Sequence, residues 1–281
     1  MKKTLLLLIA ILITNFGISQ TTLFSENFET GNLFTLNTSD LGASTTYNTW
    51  LMNNNYAGGS GTFVCLGFPF SFTVSNTPQQ PVGITGNPTS NYMHIASQAA
   101  ISSGINCASY FPSDGGLCIA NESNFSKMTS SVSTVGFSGI SFNFWWICAG
   151  SINGYGEIYY SLDNGTTWIL KESNMYNVNS WTQKSLMDSA WDNKPNVQFG
   201  FRFVNNTAST ASDPSFSIDD ITIIADNTLG ITNIETIVNS IIYPNPTNEE
   251  INIILNKTYN NIKVSISDIS GKIIDTKFFK K

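Results

Sequence analysis

Two pairs of carboxylates lie near the two ends of the main body of this chain. Glu26 and Glu29 follow the first apolar run after the N-terminal segment, and Asp219 and Asp220 are adjacent within a late apolar run. Paired carboxylates can supply the two catalytic groups of glycoside hydrolysis. No cleft is implied around these acids, so the sequence disfavours a glycosidase.

The chain contains a single histidine, His94, and a single arginine, Arg202. A Ser-His-Asp hydrolase would need His94 as its general base. That histidine lies in the strand-like run Tyr92–Ile95 without a nucleophile motif nearby, so a structural or surface role is favoured. The sequence also contains no Cys-His nucleophile signature and no phosphate-binding loop.

A polar turn between two apolar runs resembles the Asp-box of sialidase propellers. Its residues are Ser161, Asp163, Gly165, Thr167 and Trp168. The aspartate can accept backbone N–H bonds, the glycine permits a positive φ, and the tryptophan can pack beneath a hairpin. A sialidase needs several arginines to hold the substrate carboxylate. Because this chain has one, we predict a structural turn that fixes the register of two core strands.

Composition favours a folded protein that leaves the cytoplasm. Only 11% of the 281 residues are charged, the net charge is -6 and 12% are aromatic, so the surface must be rich in Asn, Ser and Thr. The 13 Lys and Arg residues are dispersed, which argues against nucleic acid. The basic residues Lys2 and Lys3, followed by the apolar run Leu5–Ile13, predict a signal peptide at 1–19. A membrane-spanning helix needs about 20 apolar residues, so no membrane span is expected.

Export makes the four cysteines candidates for disulfide bonds. Cys65, Cys107, Cys118 and Cys148 can pair in more than one way, and their spacing fits no zinc motif. We expect the local pair Cys107 and Cys118, whose short loop would stabilise the fold by about 3 kcal/mol in the chain-entropy model. Cys148 lies on the core face of its strand and is a candidate for a buried thiol.

Alternating apolar residues predict strands through most of the body. Three runs each place large side chains on one face: Phe142, Phe144, Trp146 and Cys148; Ile158, Tyr160 and Leu162; and Phe199, Phe201 and Phe203. The alternation slips at Asp219 and Asp220, as a β-bulge would allow. No long helical period follows the signal peptide. Many short strands with Gly and Pro turns indicate an all-β, two-sheet sandwich.

Beyond a polar linker at 227–240, the tail carries a second strand-rich pattern. Tyr243-Pro244-Asn245-Pro246 and the later Gly271 resemble the type A C-terminal sorting domain of the type IX secretion system, used by Bacteroidetes-type bacteria. The prolines fix φ and delete amide donors, which stiffens the entry into the first strand. The resemblance implies a small Ig-like β-sandwich at 241–281 and the secretion machinery as a partner. The family pattern usually continues with a further hairpin, so we expect a shortened domain.

The body, 20–226, resembles the jelly-roll modules of secreted adhesins, related to the cleaved adhesin domains of gingipains and to MAM domains. The resemblance rests on three segments: Glu26–Glu29, Ser161–Trp168 and Phe216–Ile221. In such folds the first and last strands lie side by side, so carboxylates from both ends of the body could meet.

Carboxylates at short range raise one another's pKa unless a cation offsets their charge. Ca²⁺ takes six to eight oxygen ligands from carboxylates and backbone carbonyls. The resemblance implies such a structural calcium at Glu26, Glu29, Asp219 and Asp220.

These features predict a secreted or outer-surface protein, exported through the periplasm, that works as a non-catalytic binding or adhesin module. Trp145 and Tyr159 point off the core face and could stack on sugar rings. A glycan or a host or cell-surface protein is therefore the expected partner. Two alternatives stay open: a secreted hydrolase with a site in the loops between Asn32 and Asn91, and a structural surface component without a small ligand.

Overall fold

The computed structural model describes residues 19–208, 210, 212–227, 240–243, 250–255, 260–268 and 273–280. The chain divides into two compact units, Met1–Leu229 and Gly230–Lys281. The predicted signal peptide lies outside the described residues except for Ser19, where the first strand begins. Among the described residues, none of the helices has the length and apolar character that crossing a bilayer requires.

The first unit consists almost entirely of strands. They are β1 (Ser19–Glu26), β2 (Phe34–Thr38), β3 (Asn48–Asn53), β4 (Gly59–Cys65), β5 (Phe68–Val74), β6 (Tyr92–Ser97), β7 (Glu122–Met128), β8 (Ser138–Cys148), β9 (Gly154–Ser161), β10 (Ile169–Met175), β11 (Val178–Met187), β12 (Gln198–Asn205) and β13 (Ser217–Asn227). One short α-helix, α1 (Gln98–Ser102), and two 3-10 turns, Asp40–Gly42 and Ser189–Trp191, complete the described elements.

Two antiparallel sheets form the predicted sandwich, and the all-β class is confirmed. The six-stranded sheet has the order β11-β8-β13-β6-β3, with β1 also paired to β13, and the five-stranded sheet has the order β10-β9-β12-β7-β2. The first strand pairs with the last, from Ser19 opposite Asn227 to Glu26 opposite Ile221. Strands β4 and β5 form a separate two-stranded hairpin.

The core lies between the two sheets and uses the alternating aromatic faces read from the sequence. Phe142 of β8 and Phe199 of β12 belong to opposite sheets, and their rings stack with centroids 3.9 Å apart. Each fully buried side chain of this size stabilises the fold by roughly 1.5–3 kcal/mol relative to an exposed one. Since neighbouring residues on a strand point to opposite faces, the intervening side chains of β8 face outward.

Strand β13 contains the predicted irregularity. Its register with β8 shifts between Asp219 and Thr222, and Asp220 adopts a φ of +45°, which is uncommon for a residue with a side chain. A bulge of this kind re-aims side chains. It sends the two adjacent carboxylates of Asp219 and Asp220 to different partners.

The disulfide prediction is wrong. Cys118 is bonded to Cys65, with Cα atoms 5.6 Å apart and a sequence separation of 53. The hairpin of β4 and β5 places Cys65 beside the loop that carries Cys118, a long-range contact that sequence spacing does not reveal. Cys107 is instead a buried free thiol whose sulfur lies 3.8 Å from the carbonyl oxygen of Ser75. Cys148 is also free and buried.

The second unit contains two short antiparallel pairs among its described residues. They are β14 (Ser240–Tyr243) with β15 (Asn252–Leu255), and β16 (Asn261–Ser267) with β17 (Ile273–Lys280). Tyr243 ends β14 opposite Asn252 and is exposed. The other sorting-signal residues, Pro244, Asn245, Pro246 and Gly271, lie outside the described residues.

Candidate functional site

A row of outward-facing side chains crosses four neighbouring strands of the six-stranded sheet. Gln183 of β11 lies opposite Trp145 of β8. Asn143 of β8 lies opposite Thr222 of β13, and Thr222 lies opposite Ser25 of β1 on its other side. The sheet register therefore gathers an indole, two amides and two hydroxyls on one surface, although the residues are far apart in sequence.

This row forms the floor of a groove of about 220 Å³, named here the Trp145 groove. It is lined by Ser25, Asn27, Gly83, Thr85, Asn143, Trp145, Gln183, Asp220 and Thr222. Gly83 has a φ of +114°, and a Cβ added there would lie 3.3 Å from the Trp145 ring, so glycine keeps this wall open. The volume is below the roughly 300–1,000 Å³ of an enclosed small-molecule site. The groove therefore suits part of an extended ligand.

Trp145 is half-buried, and an apolar cluster supports one side of its ring. Its ring packs against a cluster formed by Ile84, Tyr92, Ala108, Ile147 and Trp181. An aromatic face presents an apolar, polarised platform, and the amides of Asn143 and Gln183 can both donate and accept hydrogen bonds. A platform flanked by amides is the chemistry that recognises a sugar ring and its hydroxyls.

Tyr159, the other residue predicted to stack on sugars, is not accessible to a ligand. It is only 9% exposed, and its hydroxyl donates to Oε2 of Glu157 over 3.0 Å. Arg202 contacts the same carboxylate at 3.2 Å. Tyr159 thus takes part in a polar cluster on the five-stranded sheet, and the expectation that it stacks on sugars is wrong.

The carboxylate of Asp219 clasps the loop that walls the groove. Its Oδ2 accepts from Nε2 of Gln80 at 2.6 Å and from Oγ of Ser90 at 3.1 Å, and its Oδ1 accepts from the backbone N–H of Asp220 at 2.7 Å. The pKa of Asp219 is raised to about 8, because burial and the neighbouring Asp220 carboxylate together outweigh the three hydrogen bonds that lower it. We call Asp219, Gln80 and Ser90 the Asp219 clasp.

Two further predicted metal ligands hold the same loop at other points. Asp220 accepts from the backbone N–H of Thr85 at 2.7 Å and from its hydroxyl at 3.1 Å. Glu29 accepts from the backbone N–H of Asn91 at 2.6 Å. These contacts position the loop against Trp145 and leave the carboxylates directed at protein donors.

Glu26, the fourth predicted ligand, is buried and turned toward its own end of β1. It accepts from the backbone N–H groups of Phe28 at 2.7 Å and Leu33 at 2.5 Å. Among the described residues, no group of three or more His, Cys, Asp or Glu side chains is arranged to hold a metal ion. The four carboxylates do not fit a shared calcium site in this arrangement, so this geometry disfavours the calcium site that the resemblance implies.

The Asp-box residues form a closed turn between β9 and β10, named here the Asp163 turn. Asp163 accepts from the backbone N–H of Thr167 at 2.9 Å and from its hydroxyl at 2.6 Å. Ser161 donates to Asp163 at 2.8 Å and accepts from the N–H of Gly165 at 2.9 Å. The Thr167 bonds lower the pKa of Asp163 to about 2. The hydrogen bonds named here stay within four residues along the chain.

Trp168 attaches the Asp163 turn to the sandwich. Its ring meets that of Phe125 edge to face at 5.0 Å, Lys127 lies 5.8 Å above the ring, and its Nε1 donates to Asp40 over 3.2 Å. These contacts give the Trp168 indole a structural role, which is to pack the turn against the sandwich.

His94 is fully buried and stacked on Tyr92, with ring centroids 4.5 Å apart. Its Nδ1 lies 3.1 Å from the carbonyl oxygen of Ile95 and its Nε2 lies 3.3 Å from Oδ1 of Asn53. Burial lowers the pKa of His94 to about 4, so the ring is neutral at pH 7. The contacts of both ring nitrogens are those of a structural histidine.

Comparisons with known proteins place the two units in context. Residues 241–281 match the family model of the secretion system C-terminal sorting domain. The chain is similar to the K1 cleaved adhesin domain of Lys-gingipain from Porphyromonas gingivalis W83, with 13% identity over 72% of this chain and 97% of that chain and a TM-score of 0.34. The K3 cleaved adhesin domain of the same protein is similar with 14% identity over 73% of this chain and 99% of that chain and a TM-score of 0.35.

The CBM22-1 xylan-binding domain from Paenibacillus barcinonensis Xyn10C is similar with 9% identity over 74% of this chain and 96% of that chain and a TM-score of 0.34. Similarity at this level concerns the fold alone. No curated protein matches the chain.

The chain is therefore an exported all-β protein, with an antiparallel sandwich followed by a sorting tail. That tail is a C-terminal sorting domain of the type IX secretion system, which indicates export to the cell surface or release into the medium. Its partner in export is the secretion machinery.

Proposed function

We propose that the exported protein is a non-catalytic binding module that recognises neutral glycans in the Trp145 groove. The observation that carries this proposal is the half-buried indole of Trp145, flanked by Asn143 and Gln183 in a groove on the outer face of the six-stranded sheet. The ring would stack on one sugar, and the amides would pair with its hydroxyls.

Charge favours neutral over acidic glycans. The protein carries a formal net charge of -6, and the groove contains the carboxylate of Asp220 but no Lys or Arg among its lining residues. An anionic sugar would meet repulsion without a compensating cation. Neutral polysaccharides are therefore the expected ligand class.

The test is a glycan array with the purified full-length protein, followed by calorimetric titration of the best neutral ligand. Trp145→Ala should weaken binding about tenfold or more, because stacking and its buried area are lost together. Trp168→Ala is the matched control, since Trp168 is also half-buried but lies in the Asp163 turn of the other sheet, and it should bind as the wild type does.

The proposal would be wrong if the wild-type protein bound no neutral glycan, or if the Trp145→Ala variant bound the glycan as tightly as the wild type. Release of reducing ends from the bound polysaccharide would instead favour the hydrolase alternative. We expect none, because the buried acids Glu26 and Asp219 already accept two and three hydrogen bonds from protein donors.

A further inference from the structure

The hairpin of β4 and β5 ends in an exposed apolar tip. The apolar tip comprises Val64, Leu66, Phe68, Phe70 and Leu117, whose surfaces are between 49% and 72% exposed. Leu117 belongs to it because the next residue, Cys118, is bonded to Cys65 at the end of β4. Exposed apolar groups that cluster in this way mark interaction surfaces in soluble proteins.

The base of the hairpin is anchored while its tip is not covered. Val74, at the end of β5, is buried in a cluster with Ala100, Ile105 and Cys107. Midway along, the ring of Phe63 meets that of Phe111 edge to face at 4.6 Å. The disulfide adds a covalent attachment near the turn. The apolar tip is therefore held outward on a supported structure.

The turn at the tip carries an apolar residue where the backbone favours a polar one. Leu66 and Gly67 connect the paired residues Cys65 and Phe68, with φ values of +52° and +84°. Two-residue turns with positive φ at both positions favour Asn or Asp followed by Gly. A bulky side chain at positive φ is strained, and retained strain of this kind points to a function for the side chain.

Apolar side chains occupy both faces of the hairpin end. Phe70 lies opposite Phe63 on one face, and Val64 lies opposite Pro69 on the other. A flat protein partner would cover only one of these faces. A lipid layer surrounds an inserted tip and would cover both.

The length and the polar boundary of the tip match a lipid surface. Below the Phe63 and Phe70 pair, the hairpin turns polar at Thr62 opposite Ser71. The exposed end of the strand, from Val64 to Leu66, is about 7 Å long at roughly 3.3 Å per residue. Surface-bound proteins bury their apolar groups about 5–10 Å into the boundary between headgroups and acyl chains.

Charge is absent from the segment that contains the whole hairpin. From Leu41 to Ser113 the sequence contains no Asp, Glu, Lys or Arg, and its one histidine, His94, is buried. Asp114, at the base of the Leu117 loop, accepts from the backbone N–H groups of Gly116, Cys118 and Ile119. No charged group of this segment would have to enter the lipid.

We propose that the apolar tip inserts into the outer layer of a neutral phospholipid bilayer. Attachment would be shallow and hydrophobic. Because no cation of this region contacts the headgroups and the protein is acidic overall, anionic lipids should not strengthen it, and high salt should not release it.

Flotation of the purified full-length protein with phosphatidylcholine vesicles tests this proposal, and wild-type protein should float. Leu66→Asn should float about tenfold less, because one inserted side chain is lost, while its melting temperature should not fall, since Asn suits the turn. Phe68→Asp should have a similar effect on flotation. Ile152→Asp changes an equally exposed isoleucine in the loop between β8 and β9 and should float as the wild type does.

Insertion is measured directly with the Leu66→Trp variant, in which the new indole should shift its fluorescence to the blue with vesicles and be quenched by lipids brominated on their acyl chains. Wild-type protein that does not float, or a Leu66→Trp variant whose fluorescence does not change, would overturn the proposal. So would tip variants that float normally but convert a dimer into a monomer in analytical ultracentrifugation, because the tip would then be a self-association surface. Trp145→Ala should float normally, which separates this surface from the glycan site.

Discussion

The Asp163 turn and the Asp219 clasp use the same residue type in opposite surroundings. Asp163 is exposed, and hydrogen bonds from Thr167 hold its pKa near 2. Asp219 is buried, and burial raises its pKa to about 8. One carboxylate therefore stays ionised across ordinary pH, whereas the other carries a proton in the folded protein up to mildly alkaline pH.

The two sites also differ in how far apart their partners lie in the chain. The partners of Asp163 are within four residues. Gln80 and Ser90 lie 139 and 129 residues from Asp219. The first arrangement forms as soon as the turn closes, but the second exists only once the loop between β5 and β6 has packed against β13. The clasp should therefore depend on global stability, and the turn on local geometry.

The largest expected effect concerns pH and the Asp219 clasp. The folded-state pKa of about 8 lies above the ordinary value of 3.8. The stability that protonation confers is therefore fully present below about pH 4 and lost as the pH rises through 8. Relative to Asp219→Asn, which cannot ionise, wild-type protein should lose roughly 5 kcal/mol of unfolding free energy over that window. Urea unfolding at pH 4, 6 and 8 measures the difference.

A difference between wild type and Asp219→Asn that stays constant from pH 4 to 8 would show that the three hydrogen bonds keep this carboxylate ionised. Asp213, whose pKa burial raises to about 6, titrates in the same direction. It is present in both proteins and cancels in the comparison.

A smaller effect is expected at the Asp163 turn, with the opposite pH dependence. Because the folded-state pKa of about 2 lies below 3.8, the stability that ionisation confers is present above about pH 4 and lost as the pH falls to 2. Asp163→Ala should lower the melting temperature at pH 7 by an amount on the order of a few degrees, and Asp163→Asn should lower it less. Equal melting temperatures for wild type and Asp163→Ala would show that the backbone alone closes the turn.

The smallest effect is expected from chelation. Because Glu26, Glu29, Asp219 and Asp220 each accept hydrogen bonds from protein donors, EDTA should leave the melting temperature unchanged. A clear decrease that Asp220→Asn abolishes would establish the calcium site implied by the family resemblance. It would also show that Asp220 exchanges its Thr85 donors for a cation.

Local patterns in the sequence predicted much of the fold but little of the candidate site. The core faces of β8, β9 and β12 follow from alternation within a strand, and the bulge at Asp219 appears as a break in it. The pairing of Gln183 with Trp145, and of Asn143 with Thr222 and Ser25, depends on which strands become neighbours. Alternation marks these residues as outward-facing but cannot bring them together. Of the residues that line the groove, the sequence therefore points only to Trp145, as a stacking platform, and to Asp220, as a metal ligand.

Tyr159 shows that alternation predicts the direction of a side chain but not its exposure. The pattern correctly turns it away from Ile158 and Tyr160, which are in the core. The five-stranded sheet then surrounds it with Glu157 and Arg202, so facing outward does not make it exposed. A side chain on an outer face is buried by the strands next to it. The pattern of a single strand does not reveal which strands those will be.

The bond between Cys65 and Cys118 constrains the order in which the protein matures. In an unfolded chain, Cys118 meets the nearer Cys107 more often than it meets Cys65, because loop closure favours short loops. Native pairing therefore requires that Cys107 be withdrawn into its cluster with Val74 and Ala100 before oxidation, or that an early wrong bridge exchange afterwards. On either route the native bond forms only after the hairpin has packed against the body, so the disulfide fixes a packing arrangement that already exists.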